Sequence, residues 1–162
     1  MWDTAMEDKI TVAGIEWESI VDGPGIRTAV FVQGCPHRCP GCHNQHTWAF
    51  EGGSAVGVSE IVEKMKLNPL IKGLTLTGGE PFAQAGVCAS LAREARSAGY
   101  GVYAYTGYVY EELLQLSRND DAVRALLGAI DTLIDGPFVE AQKTLELPFR
   151  GSANQRVIQL RV

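Results

Sequence analysis

The sequence predicts an α/β fold on a mostly parallel sheet. Short β-branched runs alternate with segments of helical period, and glycine or proline punctuates the joins. Residues unsuited to packing cluster just after several of the expected strands. Thr11–Ile20, mixing β-branched and aromatic residues, reads as an opening strand, and Ile26–Val32 as a second that ends at Gln33-Gly34. Ser59 is placed to cap a helix through Leu67, with Ile61, Val62 and Met65 inward and Asn68-Pro69 as the stop. Gly73–Leu76 is a short strand running into Thr77-Gly78-Gly79. A helix follows over about Ala85–Ala98, with Val87, Leu91, Ala95 and Ala98 at helical spacing and Gly99 closing it. Val102–Tyr105 is a strand leading to Thr106-Gly107, and Glu111–Leu116 and Ala122–Leu127 are short helices, the second capped by Asp120 or Asp121. Thr132–Ile134 is a strand before Asp135-Gly136-Pro137, and Arg156–Arg161 alternates like a closing edge strand. About five or six strands fall short of the eight in a closed ring, so a small incomplete (β/α) barrel, open on one side, is expected. No repeat, low-complexity tract or long linker divides residues 1–162, which read as a single domain.

Composition narrows the function. The 162 residues are 46% hydrophobic and 20% charged, as in a globular chain. A net charge of −5 without a basic run or basic–aromatic stripe speaks against nucleic acid as a partner and reads as simple solubility. Asp131 interrupts even the apolar stretch Ala125–Ile134, so no membrane span is expected. Met1–Lys9 carries Asp3, Glu7 and Asp8 and does not resemble a signal peptide. The expected compartment is the cytoplasm, where four cysteines point to metal or redox chemistry rather than disulfides.

The cysteine loop, Thr77–Pro81, Thr106-Gly107-Tyr108 and Asp135–Phe138 each follow the C-terminal end of an expected strand, the edge at which α/β sheets bind ligands. Within the first, Cys35, Cys39 and Cys42 stand at C-x-x-x-C-x-x-C spacing, and such a density of soft thiolates suits zinc or an iron–sulfur cluster. Zinc would take a fourth ligand from His37, His43 or His46, whereas a cluster held by three cysteines leaves one iron free. Thr77-Gly78-Gly79-Glu80-Pro81 adds a second signal. Its glycines let backbone approach a ligand closely, and Glu80 offers a carboxylate to a ligand ammonium.

Together these motifs resemble the radical S-adenosylmethionine superfamily. Asp22-Gly23-Pro24-Gly25-Ile26-Arg27 leading into the cysteines is similar to the activases of glycyl radical enzymes. Trp48, Tyr105-Thr106-Gly107-Tyr108, Leu133–Phe138 and Arg150-Gly151-Ser152-Ala153-Asn154-Gln155-Arg156 resemble the subgroup acting on anaerobic ribonucleoside-triphosphate reductase, and the likeness runs in order from about Ile20 to Ile158. The resemblance implies a radical SAM-type barrel with one [4Fe–4S] cluster on Cys35, Cys39 and Cys42. S-adenosylmethionine would be held by Gly78, Gly79 and Glu80 at its methionine end and by Gly41, Cys42 and His43 at its nucleoside end. It further implies reductive cleavage to methionine and a 5′-deoxyadenosyl radical, which takes hydrogen from a glycine of a partner reductase. A one-electron donor such as flavodoxin or ferredoxin belongs to the same scheme. Many superfamily members carry an aromatic residue immediately before the third cysteine; Gly41 stands there in this chain, so backbone would serve.

Cys88 reads as a small core residue on its helix, and a second cluster lacks a ligand set. His37 and His46 read as cover for the cysteine loop. The alternation of Tyr103 and Tyr105, with Tyr108 and Tyr110 beyond, favours packing and edge contact over a radical relay. Asp22 and Asp135 fit ligand contact or loop turns equally, and Arg150–Arg156 reads as a docking surface. Two rival readings stand beside this one: an activase of another glycyl radical enzyme such as pyruvate formate-lyase, and a non-enzymatic zinc-binding adaptor.

Overall fold

The computed structural model describes residues 8–42 and 44–161. Most of the Met1–Lys9 segment, and His43, lie outside the described residues. The strands are β1 (Lys9–Ser19), β2 (Arg27–Val32), β3 (Ser54–Gly57), β4 (Gly73–Gly78), β5 (Gly101–Tyr105), β6 (Thr132–Asp135) and β7 (Arg156–Gln159). The helices are α1 (Val58–Lys66), α2 (Ala85–Ser97), α3 (Tyr110–Ser117) and α4 (Asp121–Leu127). They form one sheet in the order β3-β1-β2-β4-β5-β6-β7, mixed α/β with a parallel centre. β2, β4, β5 and β6 run parallel, β1 and β7 run antiparallel to them on either side, and β3 pairs antiparallel with β1. The parallel register sets Val32 beside Gly78 and Tyr105 beside Ile134, so the chain leaves all four central strands at one edge.

The helices share a core with one face of this sheet. Val30, Val32, Leu74, Leu76, Val102, Ala104 and Leu133 meet Ile61, Met65, Leu91, Leu113 and Leu126 there. Fully burying each such side chain contributes about 1.5–3 kcal/mol. The alternate strand positions, Arg27, Thr75, Thr77, Tyr103 and Tyr105, belong to the other face and are largely polar. No helix of the described residues is long and apolar enough to cross a membrane.

Three expectations shift. Among the described residues seven strands form rather than five or six, because Ser54–Gly57, too short and glycine-flanked to announce itself, pairs with β1. Gly57, not Ser59, caps α1: the Glu60 side chain accepts from Gly57 N–H at 3.2 Å, and Ser59 Oγ donates to Glu94 instead. The buried stripe of α2 is Ala85, Cys88, Ala89, Leu91, Ala92 and Ala95, while Ala98 is exposed and Val87 only partly buried. Small side chains let α2 lie close to its neighbours, so contact follows smallness rather than bulk. Asp120 caps α4, accepting from Ala122 and Val123 N–H. Cys88 is fully buried, and burial pushes its thiol well above the usual range. In cluster-free native protein, iodoacetamide is therefore expected to label Cys35, Cys39 and Cys42, with Cys88 reacting only in denaturant; mass spectrometry reads both.

Candidate active site

The four segments that leave the parallel strands meet at one cleft of about 650 Å³. Cys35, His37, Cys39 and Cys42 follow β2, Gly78 and Gly79 end β4, Thr106 and Gly107 follow β5, and Gly136 and Phe138 follow β6. Asp22 lines it from the β1–β2 connection, and residues 144–151 close its far side.

The cysteine loop is rooted by backbone. Gly34 N–H donates to the Thr47 carbonyl at 2.6 Å and Cys35 N–H to that of Trp48 at 3.1 Å. Cys42 N–H reaches the Cys39 carbonyl at 3.1 Å, which sets these two cysteines on one turn. All three thiols are free and half-buried. Burial raises the Cys35 and Cys39 thiols, opposed by backbone hydrogen bonds at His37 and Arg38 for Cys35 and at Phe138 for Cys39. Asn44 N–H lies 3.4 Å from Cys42 Sγ. Soft donors with peptide N–H groups around them fit an iron–sulfur cluster, whose sulfurs accept such bonds. Among the described residues no three ligating side chains are drawn around one point. Of the two described histidines that could complete a zinc site, His37 is paired with Glu80 and His46 is exposed on a 3₁₀ turn; His43 lies outside the described residues.

The turn after β4 is tighter than a ligand alone would demand. A Cβ at Gly79 would come within 2.3 Å of the Gly34 carbonyl oxygen. There Gly79 N–H donates to Val32 and Glu80 N–H to Gly34, at 2.9 and 2.8 Å. Gly78 and Gly79 line the cleft, but Glu80 does not. Its side chain is fully buried, and its oxygens face His37 Nε2 at 2.6 Å, Thr106 Oγ1 at 2.8 Å, Gly107 N–H at 2.8 Å and Phe82 N–H at 3.1 Å. In this structure the carboxylate expected at a ligand ammonium makes its bonds within the protein, because burial makes internal donors its available partners.

Other expected site residues make bonds within the protein, Asp22 among them although it lines the cleft. Asp135 accepts from Tyr110 N–H at 2.7 Å and Arg156 Nε at 3.0 Å, joining β6, α3 and β7, while Arg156 also reaches Glu111. In Arg150–Arg156, expected as a docking surface, Gln155 Oε1 accepts from Gly151 N–H and its Nε2 donates to Gly136. Asn154 donates to Pro137 and Ser152 Oγ accepts from Val139 N–H. These side chains tie the segment to the loop after β6, in a polar pattern whose inward partners lie too far along the chain to infer. Asp22 accepts from Ser19 Oγ at 2.5 Å. Gly41 turns the loop beside the Glu140 carboxylate, and Tyr108 packs edge-on against His37.

A model of the 4Fe-4S single cluster domain matches residues 21–158. Anaerobic ribonucleoside-triphosphate reductase-activating proteins match along most of their length. That of Vibrio cholerae is 38% identical over 84% of this chain and 89% of its own. That of Escherichia coli K12 is 36% identical over 88% and 94%, and that of bacteriophage T4 34% identical over 85% and 86%. The chain belongs to this activating-protein family. In this family member the matched 4Fe-4S span takes in the cleft wall from Val21 to Gln155, all of it but Ile20. The crystal structure of QueE from E. coli superposes with a TM-score of 0.46 at 17% identity, over 61% of this chain and 53% of that one, a likeness too slight to define the fold.

Proposed function

We propose that this chain activates anaerobic ribonucleoside-triphosphate reductase in the cytoplasm, the span 1–162 working as one radical SAM domain. The observation that carries the reading is the convergence of Cys35, Cys39, Cys42, Gly78 and Gly79 on one cleft at the C-terminal edge of four parallel strands. When bound, the cluster and S-adenosylmethionine supply one-electron cleavage of the sulfonium, with a donor such as flavodoxin or ferredoxin, and a 5′-deoxyadenosyl radical that takes a hydrogen atom from a partner glycine.

The chain's own residues hold and shelter. Cys35, Cys39 and Cys42 would ligate three irons, Gly78 and Gly79 would meet the methionine end through backbone, and Gly41 and Cys42, with His43, would meet the nucleoside end. Glu80 would contribute by fixing the turn that presents those glycines. The single open sheet, with β3 and β7 as its outermost strands and Thr77 and Tyr105 lining the cleft, supports an incomplete barrel whose inner wall is that polar face.

Apolar lips flank the mouth: Ile20 and Val21 on one side, Leu145 and Leu147 on the other. Ile20 is 72% and Leu145 90% exposed, which suits a surface completed by a large protein client. The test is anaerobic: reconstitute with iron and sulfide, reduce, add S-adenosylmethionine, and assay methionine, 5′-deoxyadenosine and the glycyl radical of added reductase. An Ile20→Ser/Leu145→Ser variant is expected to raise the half-saturating reductase concentration at least about tenfold, from the apolar burial lost. Absence of both cleavage and glycyl radical in the wild-type protein would overturn the reading. Cleavage with a radical formed only on pyruvate formate-lyase would reassign the client.

A further inference from the structure

The cysteine loop carries one histidine between its first two thiols, and that side chain lies across the cleft wall rather than in the cleft's solvent. His37 Nε2 stands 2.6 Å from Glu80 Oε1. Glu80 is fully buried and also faces Thr106 Oγ1, Gly107 N–H and Phe82 N–H, so Nε2 takes the donor role toward a carboxylate already supplied with donors. The imidazole packs edge-to-face on Tyr108, with ring centres 4.6 Å apart at 83°. It also lies so close to Gly107 that a Cβ there would come within 2.4 Å of His37 Cδ2. The ring therefore occupies a slot whose floor comes from the turn after β4 and whose wall comes from the loop after β5. Beyond its root at Gly34, the loop's backbone bonds run to Thr47 and Trp48, which lie on the same excursion between β2 and β3. The Glu80 N–H to Gly34 bond pins the loop's root to the glycine turn, and beyond that root the His37 side chain ties the thiol-bearing stretch to the same turn.

We propose that His37 is a positioning residue: its bond to Glu80 fixes the spacing between the loop bearing Cys35, Cys39 and Cys42 and the turn bearing Gly78 and Gly79. The inference rests on the radical SAM reading above. A ligand gripped at one end by backbone of the turn and at the other by an iron on the loop is sensitive to that spacing. A displacement of about 1 Å in such an arrangement costs on the order of 100-fold in rate. Glu80 is then the common anchor of three strand ends. This accounts for a buried carboxylate beside the cleft that never reaches the cleft.

Two polar variants of similar size test the distance rather than the fold. The amide nitrogen of His37→Gln extends about as far as Nε2 and can still donate to Glu80, whereas that of His37→Asn stops near the Nδ1 position and cannot. Both are reconstituted, normalised to bound cluster, reduced and titrated with S-adenosylmethionine, following the change in the cluster's electron paramagnetic resonance spectrum. His37→Gln is expected to titrate within about threefold of wild type and His37→Asn about tenfold weaker, with the ratio of kcat to KM falling in the same order. Equal midpoints for wild type and both variants, or the reverse order, overturn the positioning role. A role confined to stability lowers cluster loading and melting temperature but leaves the midpoint of loaded protein unmoved, which also overturns it. Failure of the underlying radical reading looks different: wild-type protein itself then shows no spectral change with S-adenosylmethionine.

Discussion

Cys39→Ala protein, reconstituted anaerobically, is expected to lose the visible absorbance of its cluster and to release no methionine or 5′-deoxyadenosine above the enzyme-free control. Cys39 and Cys42 share one turn through the 3.1 Å bond between Cys42 N–H and the Cys39 carbonyl, and Cys35 enters from the loop's root. Removing the middle sulfur leaves two thiolates, too few to hold a cubane against dissociation. No other cysteine can step in. Cys88 sits fully buried on α2 within the helix core, where burial keeps its thiol protonated. Cys88→Ala is the matched control: it deletes one small core side chain, costs about 1 kcal/mol, and leaves cluster and turnover in place. Turnover that survives in Cys39→Ala would remove that residue from the ligand set. Stoichiometric zinc in a colourless wild-type protein would instead favour the adaptor reading.

How much of this was legible depends on the range of the interaction. Runs such as Arg27–Val32 and Gly73–Gly78 declare themselves because β-branched residues and terminal glycines are local signals, and their succession with helices implies parallel pairing. That pairing places the chain's exits at one edge, so the meeting of Cys35, Gly79, Thr106 and Gly136 at one cleft follows from chain order alone. What stayed hidden was direction. Glu80 looks like a ligand group beside two glycines, but nothing local reveals that His37, 43 residues earlier, Thr106 and Gly107 converge on it from other strands. Arg150–Arg156 looks like an outward polar patch until Gly136 and Pro137 are seen behind it. On α2, Leu91 and Ala95 of the expected line are buried and Val87 packs at its margin, but the line missed how much of the core there is built by the other alanines and Cys88. A signal did exist for α2, in the repeated small residues at 85, 88, 89, 92 and 95.

The second large effect is structural and falls on Arg27, a residue whose motif was visible but whose work was not. Arg27 is 4% exposed and makes no contact with a carboxylate among the described residues. Its Nε donates to Thr75 Oγ1 at 2.9 Å, one terminal nitrogen to the Leu74 and Gly101 carbonyls at 3.0 and 2.9 Å, and the other to Pro24 at 3.2 Å. The guanidinium also lies 4.5 Å over the Tyr103 ring. Burial lowers its pKa, and Tyr103 and Asp131 oppose that shift. One side chain thus laces β2 to β4 and β5 and, through Thr75 Oγ1 donating to the Asp22 carbonyl at 2.7 Å, holds the segment that lines the cleft. Arg27→Met fills similar volume but removes the donors to the buried Leu74 carbonyl and Thr75 hydroxyl, each loss costing about 1–3 kcal/mol. A net loss of about 3–5 kcal/mol is expected, since desolvation of the cation is recovered, and the melting temperature of a chain this long should fall by about 10 °C. Arg27→Lys does little better, because a single ammonium cannot span three strands as a planar fork does. If Arg27→Met instead melts with the wild-type protein, the cation's desolvation cost equals everything its hydrogen bonds supply. In that case Arg27 would be kept for the placement of Asp22 rather than for stability, and the cleavage assay on the same variant would register the loss.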